Sequence, residues 1–550
     1  MEETASSWLF TITVTLCIAA LLKPLLTHLL TKQQNAQSHL PLPPGPRAIP
    51  VLGSLAWLGK TSLDIESTVR SLTSKLGPIV TLRIGRRPAI FISGRSLAHR
   101  ALVHHGATFA DRPKPLPAGK VMNGNGRNIS SSPYGALWRI LRRNIGSEIL
   151  HHSRIRSYSR ARGWVLRDVL VQRLRNRTED SESVVEVIEH FRFAMFALLA
   201  LMCYGDKLDE EQIGRVELVH RKVLLSFNRF QILNVFPRLT KVLLPGRWKK
   251  LFDVKRNLEE VVVPLIRARK DAKSQRMMMA EEKGGNDEIM LDDVVCYVDT
   301  LLELEVPPKE GVEEVEGKKR KLTESEMVSL CAEFMNAGTD TTSTALQWIM
   351  ANLVKFPSIQ AKLYDEIKGV MMGREDYVAV VEEDDVAKMK YLKAVVLEGL
   401  RRHPPAHFVL PHSVAEDVEL EGHRVPRNAV VNFMVADMGW DPETWEDPMA
   451  FKPERFMISN SNGDGESEDG GFDITGTREI KMMPFGVGRR ICPGSGLALL
   501  HLEYFVANLV WNFEWRAVEG DEVDLSETQE FTITMKHPLR ARISARNWKF

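Results

Sequence analysis

The stretch Pro484-Phe485-Gly486-Val487-Gly488-Arg489-Arg490-Ile491-Cys492-Pro493-Gly494-Ser495-Gly496 sets glycines around one cysteine and runs into an apolar helical pattern from Leu497 to Val510. The glycines let the backbone turn tightly beneath a large flat ligand. Unpaired N–H groups, the positive end of the following helix and the cation of Arg490 favour a thiolate over a thiol, so Cys492 reads as a metal ligand. The commonest alternative for a single cysteine is a buried small hydrophobe. The dinucleotide fingerprint G-x-G-x-x-G fails because position 491 is isoleucine, and no Gly-Lys-Ser/Thr follows for a nucleotide phosphate loop. With no second cysteine at C-x-x-C spacing, zinc and iron–sulfur sites cannot be built locally. Thiolate ligation of a haem iron is the metal chemistry left.

Phe485-x-x-Gly488-x-Arg490-x-Cys492-x-Gly494 resembles, at all five fixed positions, the haem-binding signature of the cytochrome P450 superfamily. The resemblance implies a mainly α fold with small β-sheets, one large haem domain, and heme b (iron protoporphyrin IX) held by Cys492. Phe485, Gly488, Arg490 and Gly494 would then contact the cofactor.

The rest of the chain is compatible with that expectation. Its 550 residues contain no low-complexity linker that splits them into independent halves, and 44% hydrophobic residues supply a substantial core. A net charge of +2 argues against a nucleic-acid surface. Cys17, Cys203, Cys296, Cys331 and Cys492 form no disulfide framework and suit a reducing compartment.

Trp8 to Leu22 is apolar, and a helix continued to Leu30 rises about 34 Å at ~1.5 Å per residue, enough to cross a membrane. Glu2 and Glu3 precede it and Lys23 and Lys32 follow, which favours a retained anchor in residues 1–31 with the remainder cytosolic. The proline run from Pro41 to Pro46 holds the chain extended within a 32–50 linker, and residues 51–550 form the haem domain. Beyond it, Ile79–Ile84 and Ala89–Ile92 read as a hairpin.

Trp138 and Arg142 share one face of a helix, four residues apart. Thr323-Glu324-Ser325-Glu326 has capping-box spacing and starts a long helix that Pro357 ends. Inside it, Ala337-Gly338-Thr339-Asp340-Thr341-Thr342 conflicts with helix propensity, a conflict of the kind found at functional sites. Glu398 and Arg401 lie three apart on a helix closed by Pro404 and Pro405, and Pro453-Glu454-Arg455-Phe456 follows. Asp271 to Asp287 reads as a polar surface excursion, Met457 to Gly471 as a disordered insertion, and Phe531 to Met535 as a strand.

By resemblance to the superfamily, these motifs take roles. Trp138 and Arg142 donate to a haem propionate, and His412 reaches one. Ala337 and Gly338 leave room for dioxygen, while Asp340 and Thr341 relay protons to it. Glu398, Arg401 and Arg455 brace the haem core, and Phe408, Val409 and Leu410 line the substrate pocket.

No flavin or nicotinamide segment is left over, so electrons come from another protein, by resemblance a membrane-bound NADPH–cytochrome P450 reductase. Basic residues near the proximal face, such as Arg143 and Arg489, are candidates for its docking. The implied activity is a monooxygenase, using O2 on a small hydrophobic substrate, in an endoplasmic reticulum membrane and as a monomeric catalytic unit. Ala345 to Met350 and Phe472 to Gly476 resemble a plant microsomal subfamily numbered eighty-nine, associated with linear tetrapyrroles from chlorophyll breakdown. A reductase-independent isomerase or dehydratase and a non-catalytic haem sensor are the competing functions; the acid–threonine pair weighs against both.

Overall fold

The computed structural model describes residues 40–46, 60–84, 87–178, 184–226, 228–234, 236–282, 294–308, 319–372, 380–457 and 472–546. The anchor and most of the 457–471 insertion expected from the sequence lie outside these residues.

In chain order the elements that place the site are α1 (Ser62–Leu76), β1 (Ile79–Leu82), β2 (Ala89–Ile92), α2 (Ala136–Glu148), β3 (Val184–Glu186), α3 (Val187–Tyr204) and α4 (Glu210–Ser226). They continue as α5 (Pro237–Leu243), α6 (Pro245–Glu282), α7 (Tyr297–Glu303), α8 (Glu324–Lys355), α9 (Pro357–Met372) and α10 (Lys390–Arg402). The chain ends with β4 (His412–Ser413), β5 (Val430–Phe433), α11 (Ser495–Asn512), β6 (Phe513–Ala517), β7 (Glu527–Gln529), β8 (Ile533–Met535) and β9 (Arg540–Ala545). The fold is mainly α with small sheets.

The expected hairpin is present: β1 pairs antiparallel with β2 from Ile79 opposite Ile92 to Leu82 opposite Ala89. β2 then pairs in parallel with β5, and β4 pairs with β5, giving a four-stranded sheet. The proline run is extended, as its missing donors and fixed φ require. It is also part of this sheet region: Thr81 N–H donates to the Pro44 carbonyl at 2.8 Å, and Arg424 N–H to that of Pro41 at 2.8 Å.

The main core gathers around α3, α8 and α11. Nearly all of α3 is apolar and buried, including Phe191, Phe196, Leu198, Leu199 and Met202. Among the described residues it is the helix long and apolar enough to cross a membrane, but it is enclosed by protein. It ends at Gly205, whose φ of 84° is left-handed and whose missing Cβ leaves room for the Arg269 guanidinium.

The capping box at Thr323 forms as expected. Glu326 N–H donates to Thr323 Oγ1 at 3.3 Å, and Thr323 N–H to Glu326 Oε2 at 2.9 Å. From there α8 runs unbroken to Lys355, through the glycine and threonine cluster. The hydroxyls of that cluster bond back along the helix, Thr339 to the Met335 carbonyl at 2.8 Å and Thr341 to that of Ala337 at 2.5 Å. Neighbouring helices supply what propensity lacks.

Two expectations need correction. The polar stretch from Asp271 continues α6 as helix to Glu282, because its Ala, Lys, Gln, Arg, Met and Glu residues are good helix formers. The expected strand from Phe531 is shorter, confined to Ile533–Met535 and paired with β7.

Candidate active site around Cys492

Between the core helix α8 and the start of α11, the cysteine loop is held by its own backbone. Cys492 N–H donates to the Phe485 carbonyl at 2.8 Å, Gly486 N–H to Met483 at 3.0 Å, and Ile491 N–H to Gly488 at 3.1 Å. Gly486 and Gly488 are left-handed, with φ of 68° and 75°. A Cβ on Gly488 would stand 2.2 Å from the Leu102 carbonyl oxygen, so this glycine is required for conformation and for space. Cys492 lies just before the helix, and the Gly494 amide faces its sulfur.

Burial pushes the Cys492 thiol up from its ordinary value, against the Gly494 amide and the Arg142 charge, which pull it down. The sequence reading expected the loop alone to favour a thiolate. Desolvation outweighs the dipoles here, and a cation at the sulfur is needed to reverse the balance.

Trp138 and Arg142 lie on α2 as the spacing requires. Arg490 joins them, its guanidinium 4.5 Å from the Trp138 ring centroid. Arg490 also donates to the carbonyls of Ala110 at 2.7 Å, Ile129 at 3.1 Å and Ser132 at 2.7 Å, stitching the loop to the segment before α2. Arg112 belongs to none of the motifs singled out in the sequence. The structure brings it into the same cluster, donating to Ser130 at 2.8 Å, Leu410 at 2.6 Å and Pro411 at 2.9 Å. Burial and the Arg490 charge lower Arg112 to about 9, and burial lowers Arg490 to about 10. Neither the Trp138 indole N–H nor Arg142 has a hydrogen-bond or ion-pair partner among the described residues.

His412 is buried in the same region, with Nδ1 2.6 Å from the Phe109 carbonyl oxygen. Because a carbonyl only accepts, Nδ1 carries the proton and Nε2 is left as an acceptor. Burial, with Arg112 and Arg490 nearby, pushes the ring down to about 3, so it stays neutral. Its Nδ1–H is held by Phe109, so Nε2 is the ring nitrogen left to meet a ligand.

On α8, Ala337 is exposed and Thr341 half-buried, one turn apart. A Cβ at Gly338 would stand 2.2 Å from Leu199 Cδ1, so its small size serves the close crossing of α3 and α8. The expectation that Gly338 makes room for a ligand gives way to a packing role. Asp340 is buried; its Oδ2 accepts from Thr532 Oγ1 at 2.9 Å, and Thr532 also meets Thr344 at 3.0 Å. Burial raises the Asp340 pKa, while Arg192, Thr532 and Arg221 oppose it.

Glu398, Arg401 and Arg455 meet as the motif order suggested. Arg401 grips Glu398 with two hydrogen bonds, of 2.7 and 2.8 Å, and both side chains are fully buried. Arg455 Nε reaches Glu398 at 3.3 Å, and the Lys452 amide donates to it at 2.8 Å. Arg401 also donates to Gly439, Pro448 and Ala450, tying α10 to the segment before the cysteine loop. Every hydrogen-bonding position on the carboxylate's near side is filled, which is what a buried charge requires. Leu410 is exposed and Phe408 and Val409 are half-buried.

A cysteine sulfur in a glycine bed, acted on by Arg142, with Arg490 and Arg112 clustered behind that guanidinium and a free indole N–H at Trp138, fits a haem-thiolate site. The cluster has the charge to hold a flat ligand with two carboxylate arms. The chain belongs to the cytochrome P450 family, whose pattern it matches over residues 43–544, and it is a monooxygenase of that class. It is 49% identical to cytochrome P450 89A9 of Arabidopsis thaliana over 509 residues, covering 92% of this chain and 94% of that one. With salviol synthase of Salvia pomifera it shares 30% identity over 515 residues, 93% of each chain. A zebrafish cytochrome P450 solved with progesterone superposes with a TM-score of 0.67 at 20% identity, over 88% of this chain and 99% of that one, which shows the shared fold. The resemblance to subfamily eighty-nine in the sequence agrees with the Arabidopsis relative.

Proposed function

We propose that the chain is a single-pass protein of the endoplasmic reticulum membrane that inserts one atom of O2 into a small hydrophobic substrate, with electrons from an NADPH–cytochrome P450 reductase. Haem, when bound, supplies activation of dioxygen and the oxygen insertion itself. The chain's residues supply orientation, protons and exclusion of water. Cys492 is the iron ligand, bedded by Phe485, Gly488 and Gly494. Trp138, Arg142 and Arg490 hold the propionates, and Arg112 adds a third cation. Ala337 leaves the face of α8 open, and Asp340 and Thr341 move protons across it.

The observation that carries this reading is the run of guanidiniums Arg112, Arg490 and Arg142, each repelling the next, with Arg142 acting on the Cys492 sulfur. Mutually repelling, desolvated guanidiniums call for an anionic ligand. A membrane location is supported by the stretch from Phe236 to Phe252, which carries exposed Phe236, Leu239, Val242, Leu243 and Phe252. It also carries Arg238, Lys241, Arg247, Lys249 and Lys250 and no acidic residue. Apolar side chains among cations suit an anionic lipid surface. Docking of the reductase is assigned to Arg143 and Arg489, both exposed. As substrate class we propose linear tetrapyrrole chlorophyll catabolites, supported by the likeness to subfamily eighty-nine.

The test is reconstitution of the haem-loaded protein with plant reductase and NADPH. Product that requires reductase, NADPH and O2 together supports the reading. Turnover with hydroperoxide alone would make the protein an isomerase or dehydratase, and bound haem without turnover on any extracted metabolite would make it a sensor. Loss of the reduced-CO thiolate band in Cys492→Ser checks the ligand. Comparing metabolites of plants lacking and overproducing the protein identifies the substrate.

A further inference from the structure

Buried Arg269 and Asp299 meet through direct hydrogen bonds of 2.9 and 2.6 Å. Another cluster of buried charge is looser. Arg192 of α3 and Arg221 of α4 stand between Asp340 of α8 and Glu530 in the turn before β8. Arg221 Nη1 donates a long hydrogen bond to Asp340 Oδ1 at 3.4 Å, and Arg192 Nε stands 3.8 Å from the same oxygen. Arg192 Nη2 lies 3.7 Å and Arg221 Nη2 3.5 Å from Glu530 Oε2. Arg192 Nε and Glu530 Oε2 are buried and have no hydrogen-bond partner among the described residues. Two cations face two carboxylates, so the gap is not a deficit of charge. Orphaned donors and acceptors at such separations are satisfied when a water bridges them.

The cluster also has a direction. The Glu530 side chain is 37% exposed, whereas that of Asp340 is 4% exposed. The same turn sets the inner end: Glu530 N–H donates to the Thr532 carbonyl at 3.0 Å, and the Thr532 hydroxyl holds Asp340 at 2.9 Å. Surface carboxylate, arginine pair and buried carboxylate lie in sequence.

We propose that Glu530 is the solvent-side carboxylate of a proton path to Asp340, completed by water held between Arg192 and Arg221. The proposal rests on Asp340 as a proton carrier. Protonated Glu530 gives its proton to the water, the water gives one to the Asp340 carboxylate, and Glu530 takes a replacement from bulk solvent. One proton moves inward and the water is unchanged. The arginines stay protonated throughout and donate to the water oxygen, which leaves its hydrogens directed at the carboxylates. Burial of Asp340 favours its protonated form and so favours the inward transfer.

The experiment follows the carboxylic-acid C=O stretch of Asp340, assigned by its loss in Asp340→Asn, in the resting haem-loaded protein after transfer to D2O. Glu530→Gln is expected to slow its hydrogen–deuterium exchange by about tenfold or more, and Glu530→Asp by less. Glu217→Gln is the control for charge alone, since Glu217 on α4 feels both arginines without an ion pair to either, and should exchange at the wild-type rate. With reductase and NADPH but no substrate, Glu530→Gln should also release a larger share of reduced oxygen as hydrogen peroxide. An Asp340 band that exchanges equally fast in Glu530→Gln, with the melting temperature unchanged, overturns the path. Absence of any Asp340 acid band in the wild type overturns the prior reading of Asp340, a distinguishable failure.

Discussion

Gly488 joins a left-handed φ of 75° to a site where a Cβ would stand 2.2 Å from the Leu102 carbonyl oxygen. Gly488→Ala should therefore cost about 1–3 kcal/mol from backbone conformation alone, and more from the displaced strand of chain. Gly496→Ala, four residues past the cysteine, has open space around its Cβ and no such φ, and should be close to neutral. Measured haem retention and melting temperature check the pair: equal behaviour would mean that the loop tolerates rearrangement. At this scale the local sequence was informative. Spacing in the cysteine loop and on α2 and α8 picked out residues that the structure brings together, because each motif fits within a few turns of chain. Arg112 and Thr532 were not legible in that way. Thr532 meets Asp340 across 192 residues of sequence, and no local pattern records such a contact. Gly338 was read for the right property and the wrong reason, since the side chain it makes room for, Leu199, comes from another helix.

Helices carry the second level of the argument. α8 looked compromised by its glycine and threonines, yet it is continuous, because α3 and α11 pack on it and its hydroxyls bond to its own carbonyls. Tertiary burial overrode a propensity that sums to little beside it. On α11, Glu503 is half-buried and desolvation lifts its pKa to about 7, with Lys393 opposing. A folded-state pKa above the ordinary ~4.3 means that Glu503 contributes stability in full below that value and loses it as pH rises through about 7. Glu503→Gln should thus gain in melting temperature relative to the wild type between pH 5 and pH 8, with little difference below ~pH 4. A pH-independent difference in thermal scans would show that the carboxyl is solvated. The Glu398–Arg401–Arg455 centre works at the same level, joining α10 to the chain that leads into the cysteine loop.

Across the whole molecule, the apolar and basic stretch around α5 is the described surface on which the proposed membrane location rests. Val242 is 76% and Leu243 64% exposed, a costly arrangement in water alone. A chain lacking residues 1–39 should still sediment with vesicles containing anionic lipid, and Leu239→Glu with Val242→Glu should weaken that binding by roughly tenfold or more. Unchanged partition of the double variant would move the lipid contact to another surface, and no sedimentation of the truncated chain at all would leave membrane attachment to the N-terminal segment. The turn from Glu530 to Ile533 has an effect on a similar scale, because so many parts of the fold meet there. Its Ile533 amide donates to Pro405, its Ile533 carbonyl accepts from Trp348, and its Thr532 hydroxyl holds Asp340, while Phe531 is left 39% exposed among them. Any substitution that displaces this turn therefore also displaces the hydroxyl that holds Asp340, so a change made at Phe531 is felt at a buried carboxylate on another helix.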